Sequence, residues 1–300
     1  MKKLLITGSN GFVGSYFIKK YKDKYDIKTF SFLKDDINSL DCSDIDVVFH
    51  LSALVHQMGG ASCEEYERVN VIQTLQLAKK AKENGVKQFV FMSTVKVYGE
   101  KTDSKYSENI ICNPEDEYGK SKLKAELELQ KIEDENFKVS IIRTPIVYGY
   151  GVKANIKSLI NLVNKVPLLP FGKIENKRSM VYIGNLCHLV YEIITQEKSG
   201  IFLASDDEPL STSRLIELVA KNLDLVKRSG CGTITLCEKK IYLVKIPFFE
   251  TLLKILKPSF HKRLYGSLEI DNTITKEKLN LKNPYSVEDG IRLMIKGELI

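Results

Sequence analysis

No stretch of the 300 residues reaches the roughly 18 consecutive apolar positions that a membrane span requires. Met1-Lys2-Lys3 before Leu4-Leu5-Ile6 has the outline of a secretory signal, but the apolar run stops at Thr7-Gly8, too short for its hydrophobic region. There is no internal repeat and no low-complexity tract. Histidines number 4 and are dispersed, and the six cysteines (42, 63, 112, 187, 231 and 237) include no pair at zinc-site spacing. The expectation is a cytoplasmic protein with reduced thiols and no structural metal. What remains is ordinary: 43% hydrophobic and 28% charged residues, as in a soluble globular chain of one large domain or two intimate ones.

Lys3 to Thr7 reads as a buried strand. It runs into Gly8-Ser9-Asn10-Gly11-Phe12-Val13-Gly14 and then the helical stretch SYFIKKYKDKY. Strand, glycine-rich turn and helix together are the setting in which such glycines hold a dinucleotide. Gly8 permits the turn, Gly11 lets backbone approach a pyrophosphate, and Gly14 lets the helix pack close. The helix N-terminus then offers its free N–H groups to the anion. The spacing is G-x-x-G-x-x-G, not G-x-G-x-x-G.

A second strand is expected over Ile27–Phe32. It ends in Ser31-Phe32-Leu33-Lys34, with no acid until Asp35-Asp36, where an NAD site usually holds a carboxylate for the ribose 2′-hydroxyl. That leaves NAD and NADP both open. Further strands are expected over Asp46–Leu51, Gln88–Met92, Val139–Arg143 and Ile201–Ala204, with a helix over Glu64–Asn84. This alternation predicts an α/β, doubly wound parallel sheet of Rossmann type. Hydroxyls at Ser93-Thr94 and Thr144 then fall at strand C-terminal ends, where ligands bind in such sheets.

Tyr118 and Lys122 lie four apart at the start of a helix-forming run, so they share a face. A phenol with a pKa of about 10 is a poor base at neutral pH. A neighbouring ammonium favours the phenolate, which suits the pair to moving a hydroxyl proton.

These segments resemble the extended short-chain dehydrogenase/reductase family, in its NAD-dependent epimerase/dehydratase group. The resemblance rests on TGSNGFVG at 7–14, HLSA at 50–53, Asn70, STVKVYG at 93–99, YGKSK at 118–122 and RTPIVYG at 143–149. HLSALVHQM, FMSTVKVYGE, GVKANI, LPFGKIENKRSMVYIGNL and RLYGSLEID are similar to a bacterial surface-polysaccharide subgroup acting at C4 of UDP-N-acetylhexosamines. That subgroup holds both 4-epimerases and 4-ketoreductases.

The resemblance implies that Thr94 bonds the sugar O4 and the catalytic tyrosine. Tyr118 is then the acid/base, and Lys122 binds the nicotinamide ribose. Gly8, Gly11, Phe12, Val13 and Gly14 form the pyrophosphate turn, with Asp36, Ile37, Leu51, Ala53, Asn70 and Pro145 as further cofactor contacts. Lys96, Asn155, Phe171, Arg178 and Arg263 are implied on the substrate side, the arginines against a diphosphate. The implied ligands are NAD (or NADP) and a UDP-sugar, and the implied assembly is a homodimer.

The domain reading is discontinuous. Residues 1–150 with about 179–206 would hold the dinucleotide, and about 151–178 with 207–300 would form a smaller α+β lobe for the sugar nucleotide. Residues 227–263 carry nine Lys/Arg (Lys227, Arg228, Lys239, Lys240, Lys245, Lys254, Lys257, Lys262, Arg263) against Glu238 and Glu250, a net +7 equal to that of the whole chain. With IYLVKIPFFETLLKIL inside it, this segment is read as a possible basic amphipathic contact with an anionic membrane. No nucleic-acid module is found there. The activity expected is C4 epimerisation of a UDP-hexose or UDP-N-acetylhexosamine. A 4-keto-6-deoxyhexosamine reductase is the alternative, and a non-catalytic dinucleotide sensor is an alternative of another class.

Overall fold

The last four residues of KKLLIT are buried, as a strand covered on both faces requires. This strand, β1 (Lys2–Thr7), is an interior strand of a six-stranded sheet. The computed structural model describes residues 1–55, 61–99, 104–229 and 241–297. In chain order the first elements are α1 (Phe12–Tyr21), β2 (Tyr25–Phe30), β3 (Val47–His50), α2 (Cys63–Tyr66), α3 (Gln73–Glu83), β4 (Gln88–Thr94), α4 (Glu117–Ile132) and β5 (Lys138–Thr144). There follow β6 (Ile146–Tyr148), α5 (Ala154–Lys165), β7 (Leu168–Leu169), β8 (Met180–Tyr182), α6 (Ile183–Thr195), β9 (Gly200–Leu203) and α7 (Thr212–Ser229). The chain closes with β10 (Tyr242–Leu243), α8 (Phe249–Leu256), α9 (Pro258–Tyr265), α10 (Thr273–Leu279) and α11 (Val287–Lys296).

The sheet order is β2-β1-β3-β4-β5-β9, and every pairing is parallel. This is the doubly wound Rossmann-type arrangement. From β1 the chain goes to one side for β2 and to the other for β3, so the switch point lies between β1 and β3. Ligands bind outside strand C-termini at such a point. Two small parallel pairs, β6 with β8 and β7 with β10, lie outside the main sheet.

Helices cover both faces. Phe17 from α1 and Ile193 from α6 pack with Leu4, Ile6 and Phe49 on one side, in a core that continues to Ile291 and Met294 of α11. Leu77, Ala78 and Ala81 from α3 and Ala125 and Leu129 from α4 close the other against Leu5, Val48 and Phe89.

Several elements differ from the sequence expectation. The second strand runs from Tyr25 and stops at Phe30, because Ser31 to Asp35 close a turn (Lys34 N–H to Ser31 O at 2.9 Å, Asp35 N–H to the same oxygen at 2.8 Å). The third strand shortens to Val47–His50. The helix expected over Glu64–Asn84 is broken by a π-helical turn at Glu67–Ile72, a widening that is frequent at functional sites.

Candidate functional site

The β1–α1 turn is built so that side chains are absent where backbone must approach. Gly8 has φ +67°, and a Cβ there would press on the backbone of Leu51 and Ser52 at 3.0 Å. A Cβ on Gly14 would meet Gly8 O at 2.5 Å, so α1 packs against the turn only because residue 14 has no side chain. No side chain caps α1, and its first turn holds no acid. Its N-terminal amides, those of Phe12, Val13 and Gly14, therefore lack a helical partner and a side-chain cap among the described residues. That donor set fits a pyrophosphate.

Beside it, β3 ends in a locked histidine. Thr74 Oγ1 donates to Asn70 O at 2.8 Å, so it accepts from His50 Nε2 at 3.0 Å. Thr7 Oγ1 accepts from Leu51 N and Ser52 N, each at 3.1 Å, and donates to His50 Nδ1 at 2.7 Å. The ring is thus the neutral Nε2–H tautomer, and burial pushes its pKa down to about 3. This cluster fixes the backbone of Leu51 and Ser52 next to the glycine turn.

The π turn carries Asn70 into the interior. Its amide bonds Leu54 through both N–H and C=O, at 2.8 and 3.0 Å, and donates to Ser121 Oγ at 3.0 Å. Ser121 in turn donates to Tyr118 O at 2.8 Å. One asparagine therefore ties the loop after β3 to the helix bearing Tyr118.

That helix, α4, is capped by Asp116, which accepts from Gly119 N at 2.7 Å. The other Asp116 oxygen takes the ammonium of Lys96. The Tyr118 side chain lies beside Thr94 at the end of β4, and its ring lies 6.2 Å from that of Tyr66. Lys122 is buried with its Nζ 3.9 Å from the centroid of Phe91. One expectation needs correcting. Burial, then the Asp116 charge, pushes the Tyr118 phenol above its ordinary value, with the neighbouring Thr94 hydroxyl opposing. Burial also pushes Lys122 down to about 7, against the support of Glu126. In so apolar a pocket desolvation disfavours both charged forms and is the largest cause of each shift.

The edge of the sheet therefore gathers most of the residues the sequence singled out. Gly8, Gly11, Phe12, Val13 and Gly14 lie after β1, Leu51 and Ala53 after β3, Thr94 and Lys96 at β4, and Pro145 between β5 and β6. Asp36 is exposed beyond β2 and caps a short 3-10 turn starting at Ile37. On the substrate side, Asn155 is exposed in the first turn of α5. Phe171 is buried edge-on against Phe249, a wall and not an open platform. Arg178 donates from Nη1 to Gly266 O at 3.1 Å and to Arg263 O at 3.4 Å, which joins the two arginine positions through backbone. Lys227, Arg228, Lys239 and Lys240 fall outside the described side chains.

The sequence reading overlooked Asp116, although an Asp just before a helical run is a cap signal. It also gave no role to His50, Glu126 or Arg143. Glu126 stood in plain view, one helical turn after Lys122. Among the described residues no group of three or more His, Cys, Asp or Glu side chains is placed to hold a metal ion.

Residues 4–203 match the model of the NAD dependent epimerase/dehydratase family. The chain belongs to that family. NAD is its cofactor, and the open α1 terminus and glycine turn are the part of the chain that fits it. A UDP-glucose 4-epimerase of Vibrio cholerae is 36% identical, over 97% of this chain and 94% of that protein. An N-acetyl-alpha-D-glucosaminyl-diphospho-ditrans,octacis-undecaprenol 4-epimerase of Escherichia coli O157:H7 is 25% identical over 99% of this chain and 95% of the other. In fold, the chain is similar to a UDP-N-acetylglucosamine 4-epimerase from Methanobrevibacter ruminantium M1 solved with UDP-N-acetylmuramic acid. The TM-score is 0.76 at 21% identity, covering 98% and 97% of the two chains.

Proposed function

We propose that this chain is an NAD-dependent 4-epimerase of a UDP-hexose or UDP-N-acetylhexosamine, working through a transient 4-keto sugar in surface-polysaccharide biosynthesis. The observation that carries the reading is the Thr94–Tyr118 hydroxyl pair, set above buried Lys122 at the sheet edge that also holds the glycine turn. A sugar C4 hydroxyl between Thr94 and Tyr118 has a donor and an acceptor at hand. Tyr118 Oη takes the O4 proton and later returns it, while Thr94 holds both oxygens in register. NAD, when bound, supplies the hydride acceptor for C4 and, oxidised, a positive charge that favours the Tyr118 phenolate. Lys122, as ammonium, favours the same phenolate and reaches for the cofactor's ribose.

Gly8, Gly11, Phe12, Val13, Gly14, Leu51, Ala53, Asn70, Pro145, Asp36 and Ile37 make up the cofactor side of this reading. Lys96, Asn155, Phe171, Arg178 and Arg263 make up the sugar-nucleotide side, with Lys96 exchanging Asp116 for substrate. Residues 1–150 and about 179–206 serve the dinucleotide, and the remainder the sugar. Homodimerisation and a peripheral membrane contact belong to the same reading. The epimerase is preferred to a 4-ketoreductase because the relative at 36% identity is a 4-epimerase. A sensor would have no use for an intact Thr94, Tyr118 and Lys122.

The test is incubation of purified protein with UDP-GlcNAc or UDP-glucose and no added cofactor. Conversion to the C4 epimer, abolished in Tyr118→Phe with dinucleotide still bound, is expected. Consumption of reduced cofactor on a 4-keto-6-deoxy sugar without epimerisation would make the chain a reductase. Inertness on both would overturn the reading.

A further inference from the structure

Helix α8 has no buried residue. Its sequence FETLLKIL puts Phe249, Leu252, Leu253, Ile255 and Leu256 on one broad stripe, with Glu250, Thr251 and Lys254 opposite. The inner edge of the stripe, through Phe249, meets Phe171 of the lobe, ring to ring at 6.2 Å. Its outer edge is open: Leu252 is 55%, Ile255 72% and Leu256 68% exposed. Phe248, which starts the helix from a left-handed φ of +60°, is 86% exposed, and Ile246 before it and Phe260 in α9 are exposed too.

A bulky aromatic residue in the left-handed region is disfavoured. Here it serves to throw the ring outward. Contiguous exposed apolar side chains of this number mark an interaction surface and not a chance feature.

The charge around the patch identifies the partner. Lys245, Lys254, Lys257 and Arg263 are exposed, and Glu250 is the single acid between residues 241 and 263. Basic residues flanking a short, strongly amphipathic helix fit an anionic lipid surface, into which the apolar edge settles while lysines stay among the headgroups. A second copy of this chain would bring the same positive charge against itself.

We infer that the outer edge of α8, with Phe248 and the start of α9, docks the protein on an anionic bilayer. The surface borders the site. Lys262 of α9 pairs with Glu115 at 3.1 Å, next to the Asp116 cap of the Tyr118 helix, and Arg263 O receives Arg178. A protein seated this way has the Arg178–Arg263 side of its cleft close to the headgroups. That orientation rests on the proposed sugar-nucleotide reading, whereas the docking itself does not.

The test is flotation of the full chain with phosphatidylglycerol/phosphatidylcholine vesicles and with phosphatidylcholine alone, at physiological salt. Binding to the anionic vesicles only, weakened by added salt, is expected. Leu252→Glu/Ile255→Glu should abolish it. Lys254→Ala/Lys257→Ala should lower partitioning by roughly fivefold per lysine removed. Both double variants alter exposed positions and should keep wild-type turnover of soluble UDP-sugar, which also reports that they fold. No binding to anionic vesicles, binding untouched by either double variant, or a concentration-dependent dimer broken by Leu252→Glu/Ile255→Glu without vesicle binding would each overturn the inference. Vesicle binding by a protein inert on every sugar nucleotide would instead count against the epimerase reading alone.

Discussion

Glu126 accepts Arg143 Nη2 at 2.6 Å and Nε at 3.1 Å, with both side chains buried between α4 and the end of β5. Ser93 donates to the same carboxylate, and Arg143 Nη1 donates to Tyr98 Oη at 2.6 Å. The pair thus ties the helix of Tyr118 and Lys122 to the strand end that presents Thr94. The Glu126 charge also supports an ammonium at Lys122.

Glu126→Gln should therefore cost both stability and activity. It leaves the Arg143 guanidinium without its counter-charge, a loss of about 3–5 kcal/mol in chemical unfolding. Replacing both partners, as Glu126→Leu/Arg143→Met, should recover most of that stability, because neither member of the pair is left as an uncompensated buried charge. Activity should stay low in the double variant, since Lys122 still lacks its support. Recovery of turnover together with stability would show the pair to be scaffolding only.

Gly14→Ala tests the turn. The new Cβ would sit 2.5 Å from Gly8 O and 2.9 Å from Ser9 Cα, and both obstacles are backbone, so α1 or the turn must move. A destabilisation of about 1–3 kcal/mol is expected. Dinucleotide retention, read by release and assay after denaturation, should be lost. Gly85→Ala meets no atom within 4 Å but has φ +81°. It should cost stability through backbone strain alone, leaving the bound cofactor in place.

The glycine turn, the parallel sheet and the Tyr118–Lys122 helix were legible in sequence because each is a local pattern. Continuous apolar strands, helix-forming runs and left-handed turns leave their signature in adjacent residues. The π turn at Glu67–Ile72 was not legible. Its cause is tertiary, the pull of Asn70 toward Leu54 and Ser121, and ERVNVI has ordinary helical composition. Tyr118 shows the same limit. Spacing places Lys122 on its face, but only the packing around both residues decides that burial sets the direction of both shifts.

His50 gives a pH dependence with a definite sign. Its pKa falls from the ordinary 6.5 to about 3 on folding, so between those values the unfolded chain binds a proton that the native state refuses. Stability then rises with pH across that window and is lost as pH falls, by up to about 1.4 kcal/mol per unit. His50→Asn should flatten the change of Tm between pH 6.5 and 4, even if it lowers Tm at neutral pH through the broken Thr7 and Thr74 bonds. An unchanged slope would mean that other groups dominate acid unfolding.

Lys122 carries the same sign at higher pH. The proposed reading calls for its ammonium beside Tyr118, yet burial lowers its pKa from 10.5 to about 7. Between those values the unfolded chain again holds the extra proton, so native stability climbs as pH rises from about 7 towards 10.5 and is fully reduced below 7. Lys122→Met keeps the shape against Phe91 and removes the charge. At pH 6 it should stabilise the protein by an amount on the order of 3–5 kcal/mol, with the gain fading by pH 10, and it should abolish turnover. Calorimetry at the two pH values checks the sign. A variant less stable than wild type at pH 6 would show that contacts of the lysine stem and its cation–π interaction outweigh desolvation, and that the site carries its charge without cost to the fold.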